Sequence, residues 1–336
     1  MLEFFYNEVG VNMKSKTERI GYIDVAKGIA IILMLMGHFI PFNTILYTII
    51  YSFHMSLFVF VSGYLYKKCG IKEFLCKTIK LYLLYVVIIF ISKIYYFCKG
   101  NVGLNDIFLS IIMGNSNFIN SDISPVDALW FIPFLISIRI IFYCLENLTQ
   151  KLKRNNNLIL FFCIVCLSIL GLYLKYKEIY LPWTLDAAFV CIFLYYCGYL
   201  IRKFNILDIV FKNNLVVISI FLIYCFLFCF CRIEIALRVY DVFSIVMSLL
   251  GSIVVIFISY VIFNYMSRTS SVLQWCGRNS LAILFVHYSL DSFVKVVLFN
   301  FVDINILNNF LINLLVIILI VVIFNFFIRL LRRKKV

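Results

Sequence analysis

Charge is scarce in this sequence. Asp, Glu, Lys and Arg make up 14% of the 336 residues and hydrophobic residues 64%, where a soluble domain carries about 25% charged and roughly 45–50% apolar residues. Water therefore cannot be the solvent for most of the surface. No hydrophilic stretch is long enough for a sizeable soluble domain. No removable signal peptide is expected either, since the first nineteen residues hold several charges and no long apolar run. Internal repeats and low-complexity linkers are absent. So is any motif for binding RNA or DNA, and this decides how the net charge of +14 is read. The basic residues sit in short connections and in the tail RLLRRKKV, where orientation signals of membrane proteins lie. Nucleic acid is excluded as a partner. Most of the twelve Cys lie inside apolar runs, where Cys acts as a small hydrophobe. Cys163 and Cys166 have a C-x-x-C spacing without a second pair, so no metal site is expected.

What remains is a string of apolar runs. At about 20 residues per span, they read as ten membrane-spanning helices at roughly 22–41, 46–66, 79–97, 126–146, 158–174, 184–201, 215–231, 242–265, 280–299 and 310–330. The fold class expected is thus all-α, a polytopic helical bundle forming one membrane domain over 1–336. In it, 1–21 is a cytoplasmic segment, 22–330 the bundle and 331–336 a basic tail. Segment 104–113 is apolar but too short to span and reads as a surface or re-entrant element. With the N-terminus inside, 21 of the 30 Lys and Arg fall in cytoplasmic connections, 6 on the opposite side and 3 (Lys27, Lys93, Arg139) within spans. That bias puts both termini in the cytoplasm.

Ionisable groups inside spans cost on the order of 2.5–3.5 kcal/mol each by insertion scales, and each is a functional candidate. The chain has three His: His38, His54 and His287. All three fall in expected spans. The first span carries Asp24, Lys27 and His38. At 100° per residue, Lys27 and His38 lie within ~20° of one face and Asp24 about 40° away, so one polar stripe runs along the helix. Lys27 and His38 are separated by roughly 16 Å along its axis. A simpler reading for Asp24 and Lys27 is an i,i+3 pair that neutralises both. A short turn, IPFNT, returns the chain into the second span, which brings His54 to the same outer half of the membrane. Gly63 in that span offers a place for close helix approach. In GRNSL, Asn279 or Ser280 reads as a helix N-cap.

These residues carry a resemblance. Asp24-x-x-Lys27-Gly28, Gly37-His38 and FHMSLFVFVSGY resemble the opening of the acyltransferase-3 family of integral-membrane O-acyltransferases. They are most similar to its fucose 4-O-acetylase-like and exopolysaccharide O-acetyltransferase branch. ALWFIPFL, with Trp130, and WCGRNSLAILFVH, ending at His287, match in the same order. The resemblance implies transfer of an acyl group, usually acetyl, from cytoplasmic acetyl-CoA to a hydroxyl of a surface glycan, glycolipid or exported metabolite. It further implies a multi-pass protein of the plasma membrane, with the composition pointing to a bacterial source. His38, His54 and Asp24 are the expected catalytic residues, Lys27 and Arg278 the acetyl-CoA contacts, and Trp130 and His287 the acceptor contacts. Many members have Arg where this chain has Lys27, which keeps the charge without the bidentate fork. Segment 150–270 carries no matching signature.

O-acyl transfer needs a base for the acceptor hydroxyl, and a neutral imidazole suits that task. His38 is expected to take the hydroxyl proton or to accept the acetyl group itself, with His54 beside it. Lys67 and Lys68 are further cations on the donor side. The long exterior loop 98–127, with Asp106, Asn115, Asn117, Asn120, Asp122 and Asp127, is the expected acceptor side. The bilayer and a glycan or glycolipid acceptor are the expected partners, with a second copy of the chain as an option. The leading alternative is a transporter or flippase, but no matched pair of Gly/Pro-broken spans supports it.

Overall fold

Apolar segments in lipid fold as helices because a helix satisfies each backbone N–H and C=O within the segment. The structure, a computed structural model, describes residues 20–38, 40–41, 44–98, 103–114, 126–151, 156–235, 239–287, 318 and 322. Twelve α-helices are found among them: α1 (Gly21–Gly37), α2 (Ile45–Tyr51), α3 (His54–Tyr64), α4 (Ile71–Cys98), α5 (Leu104–Met113), α6 (Phe131–Gln150), α7 (Asn156–Tyr176), α8 (Leu185–Lys203), α9 (Ile206–Phe211), α10 (Asn214–Phe230), α11 (Val242–Tyr265) and α12 (Ser267–Arg278). Residues 280–287 are also helical. The single extended pairing among the described residues is an antiparallel bridge between Glu234 and Val239. The protein is all-α and polytopic. Six stretches are long and apolar enough to cross a membrane: Ile45–Tyr64, Ile71–Lys93, Phe131–Gln150, Asn157–Tyr176, Pro182–Lys203 and Val242–Tyr265. α1 and α10, each of 17 residues, coincide with two more expected spans. Most of 288–330, the tail and residues 1–19 lie outside the described residues.

The expected boundaries shift in three places. α4 starts at Ile71 and not near 79, so Lys72, Lys77 and Lys80 ride on a helix, where Lys77 pairs with Glu73 one turn earlier. The segment 268–278, expected as a loop, is the helix α12. Its polar composition hides the helix, yet it buries Ser270, Cys276 and Gly277 on one side. The third change is a break at Ser52–Phe53 inside the second span. There the Ser52 hydroxyl donates to the Ile49 carbonyl (2.7 Å) and meets the Tyr224 hydroxyl (2.7 Å).

The described residues form two compact units, one running from Pro41 to Val254, the other joining residues up to Ile40 with those from Val255 onward. In the first, α8 is the central helix, packed by α3, α6 and α7. α3 and α8 cross at two glycines. A Cβ on Gly63 would overlap the Tyr195 carbonyl oxygen, and one on Gly198 the Phe60 carbonyl oxygen. Small residues let helix backbones approach within a membrane, so the expected role of Gly63 is met and its partner is Gly198. Beyond α3 the chain is tied to α6. The Tyr66 hydroxyl donates to Glu146 Oε2 (2.5 Å), Gln150 Nε2 donates to Glu146 Oε1 (2.9 Å), and Lys68 donates to Gln150 Oε1.

The short element 104–113 is α5. Asp106 caps it by accepting from the Gly103 N–H (2.8 Å), and it ends at Gly114, whose φ of 57° is left-handed. Ten residues extend only about 15 Å, so α5 does not cross. Its Ser110 accepts from the buried Lys93 Nζ on α4 (3.3 Å). Just before α8, Trp183 and Thr184 both take positive φ (59° and 57°). Two such residues in succession are costly and persist where packing holds them. Trp183 packs on Tyr82 (5.2 Å between rings), and Asp186 accepts from the Leu181 N–H (3.2 Å).

Candidate functional site

In the unit that carries α1, the first and last sequence motifs are brought together by glycine. A Cβ on Gly28 would overlap the Leu273 carbonyl oxygen, and one on Gly277 the Asp24 carbonyl oxygen. α1 and α12 therefore meet backbone to backbone, and neither position has room for a side chain. This contact is the physical content of the motifs Asp24-x-x-Lys27-Gly28 and Gly277-Arg278. It sets two cations around one carboxylate. Lys27 Nζ lies 2.6 Å from Asp24 Oδ1, and Arg278 Nε lies 3.6 Å from Asp24 Oδ2. The i,i+3 pairing of Asp24 and Lys27 is present, but the cluster exceeds a neutralised pair, since two cations share one anion. Asp24 is buried, Lys27 half-buried and Arg278 exposed. The cluster thus presents a net positive face at its open side.

The other end of α1 holds an imidazole pair. His38 is the C-cap of α1, with its N–H on the Leu35 and Met36 carbonyls. Its ring lies 4.9 Å from that of His287, inclined by 44°. His287 is buried and His38 exposed. The route to His287 runs through Asn279. Its side-chain amide donates back to the Trp275 carbonyl (2.8 Å), while its own carbonyl accepts from the Ile283 N–H (2.8 Å). Asn279 therefore serves as a joint, closing α12 with its side chain and opening the next helix with its backbone, which differs from a simple N-cap. Two imidazoles in contact can share and pass a proton. Asp24 stands with the cations and not with this pair, fourteen residues or about 21 Å along α1 from His38.

His54 lies in the other unit, at the first residue of α3 and immediately after the helix break. It is 2% exposed, and its Nδ1 sits 2.8 Å from the Ile50 carbonyl oxygen. A carbonyl only accepts, so Nδ1 carries the proton, and in a neutral ring Nε2 is then the basic nitrogen. The break thus fixes the tautomer of a buried imidazole. Tyr51 meets the His54 ring edge-on at 4.7 Å. Trp130, on a 3-10 turn Asp127–Trp130, is buried against Phe134 (5.3 Å) and Phe131 (6.1 Å). Of the polar residues expected on the acceptor side, Asp106 is the cap of α5, whereas Asn115, Asn117, Asn120 and Asp122 lie outside the described residues.

With this geometry in hand, comparison with known families gives a match to the acyltransferase domain model over residues 20–330. The chain belongs to the acyltransferase-3 family. The match covers both ends of the site, from Asp24 on α1 to the helix that bears His287, and includes segment 150–270. No curated protein and no solved structure matched the chain. As a member of the acyltransferase-3 family the protein is an acyltransferase with the membrane-spanning helices described above.

No local sequence pattern encodes the partners that complete these groups. Gly277 was visible in WCGRNS, but a lone glycine does not announce its partner helix. Gly198, Tyr47 and Tyr51 carry no motif at all. A heptad-like spacing of small residues was the one available signal for Gly198, and its helix holds only that glycine.

Proposed function

We propose that this acyltransferase moves an acetyl group from cytoplasmic acetyl-CoA to a hydroxyl of a sugar, in a surface glycan, a glycolipid or an exported metabolite, at the plasma membrane of a bacterium. The observation that supports this most is the polarity of α1, with a cation cluster at one end and an imidazole pair at the other. Lys27 and Arg278 would hold the phosphates of the donor, which supplies its acyl group as a thioester. Asp24 spaces the two cations when no phosphate is present. Guanidinium and ammonium groups near a helix crossing suit a polyphosphate better than a neutral sugar.

At the other end His38 takes the proton of the acceptor hydroxyl, and His287, against it, orients the ring and shares the charge that forms. General base catalysis of this kind is worth about 10²–10⁴-fold. His54, in the other unit, has Nδ1 protonated by its bond to the Ile50 carbonyl, which makes Nε2 the basic nitrogen of that ring. The test is transfer of labelled acetyl from acetyl-CoA into an alkali-labile ester by the purified protein. Label recovered only as free acetate, or transport of a glycan with no ester formed, would overturn the proposal.

A further inference from the structure

The loop between α10 and α11 is drawn back onto α2 by one carboxylate. Glu234 and Val239 close the loop with two backbone bonds (Glu234 N to Val239 O, 2.7 Å; Val239 N to Glu234 O, 3.0 Å). The Tyr47 hydroxyl donates to Glu234 Oε1 at 2.7 Å. Tyr47 stacks on Tyr51 with 4.0 Å between ring centres, and Tyr51 in turn meets His54 at 4.7 Å. Tyr47 and Tyr51 lie one turn apart on α2 (i, i+4), and across the break at Ser52–Phe53 the Tyr51 ring meets His54, so a ladder of rings leads from the carboxylate to the imidazole.

Glu234 is half-buried, and among the described residues no cation lies within ion-pair distance of it. Lys175 is turned to Tyr240, donating to its carbonyl and lying over its ring. Oε1 is taken by Tyr47, and no hydrogen bond occupies Oε2 among the described residues. Burial pushes this carboxyl above the ordinary carboxylate range, against the opposite pull of the Tyr47 hydrogen bond. A half-buried carboxylate without a cation is costly unless it accepts hydrogen bonds. Hydroxyls supply them, and an aromatic face beside the carboxylate suits the C–H face of a sugar ring.

We propose that Glu234, fixed by Tyr47, forms with Tyr51 the subsite that grips a hydroxyl-rich acceptor next to His54. The proposal rests on the reading of the protein as a sugar O-acetyltransferase and adds the residues that select the acceptor. Glu234 accepts from hydroxyls of the sugar that are not acylated, and the ring ladder sets the spacing between that contact and His54.

The experiment uses the full-length protein in lipid nanodiscs, labelled acetyl-CoA as donor and a panel of methyl hexopyranosides as acceptors. Glu234→Gln keeps the shape and still accepts from Tyr47, but loses the charge. It is expected to raise the KM for the acceptor by about tenfold or more, the worth of a charge-assisted hydrogen bond, with the KM for acetyl-CoA changed by less than about twofold. Tyr47→Phe, which frees the carboxylate without removing it, should raise the same constant by a smaller factor. Equal loss of Tm in both variants with an unchanged acceptor KM would make Glu234 a structural clasp and overturn the inference. Wild-type protein that forms ester on no hexoside would instead overturn the acetyltransferase reading on which it rests.

Discussion

His38→Ala is expected to lower kcat for acetyl transfer by about 10²–10⁴-fold, the range for loss of a general base, with the KM for acetyl-CoA nearly unchanged. The reason is positional. His38 caps the end of α1, is exposed, and meets the His287 ring with its own. Removing its imidazole opens no cavity in the buried core, so the variant should fold and insert. His287 is the more buried partner, and its ring alone cannot replace a base at position 38. Steady-state rates on purified variants, with Tm measured in parallel, check this. Full activity in a folded His38→Ala protein would remove the imidazole pair from the chemistry.

The second large effect is expected at the opposite end of the helix and in the opposite kinetic constant. Lys27→Gln and Arg278→Gln should each raise the KM for acetyl-CoA by about tenfold, since a charge-assisted contact to phosphate is worth on the order of 1.5–3 kcal/mol, while kcat falls little. The wild-type KM should also rise with salt, as screening weakens exposed cations first, and Arg278 is the exposed one. In the double variant that salt dependence should flatten. A loss confined to kcat in these variants would place the two cations with the imidazoles and not with the donor. Isothermal titration with desulfo-CoA, separate from turnover, distinguishes the two.

Much of this arrangement was legible in the sequence, for physical reasons that can be named. In lipid an ionisable side chain is expensive, so Asp24, Lys27 and His38 stand out from an apolar helix, and the 3.6-residue period places them on one stripe. The i,i+3 pair of Asp24 and Lys27 is short-range and follows directly from that period. Arg278 and His287 were visible as residues of a motif, but their contacts with Asp24 and His38 span more than 240 positions, and no local pattern encodes such a distance. The serines, glutamine and arginines of α12 lack the apolar content of a span, so the sequence pattern predicts a loop there. The helix forms nonetheless, as Gly277 allows it to lie against α1. The break at Ser52–Phe53 was hidden by a continuous apolar run, and with it the bond that sets the tautomer of His54. Glu234 sat in a segment with no motif, and its partner Tyr47 lies 187 residues away.

In the proposed mechanism one helix carries an acyl group's route from a cytoplasmic donor site to an imidazole pair at the far face. Its most direct test is sided. The protein is sealed into vesicles with labelled acetyl-CoA supplied only to the face bearing Lys27 and Arg278, and a membrane-impermeant glycoside only to the other. Alkali-labile label on the glycoside, lost with His38→Ala, is the predicted result. Label that appears only when donor and acceptor share a face, or an ester whose formation is indifferent to His38, would contradict it.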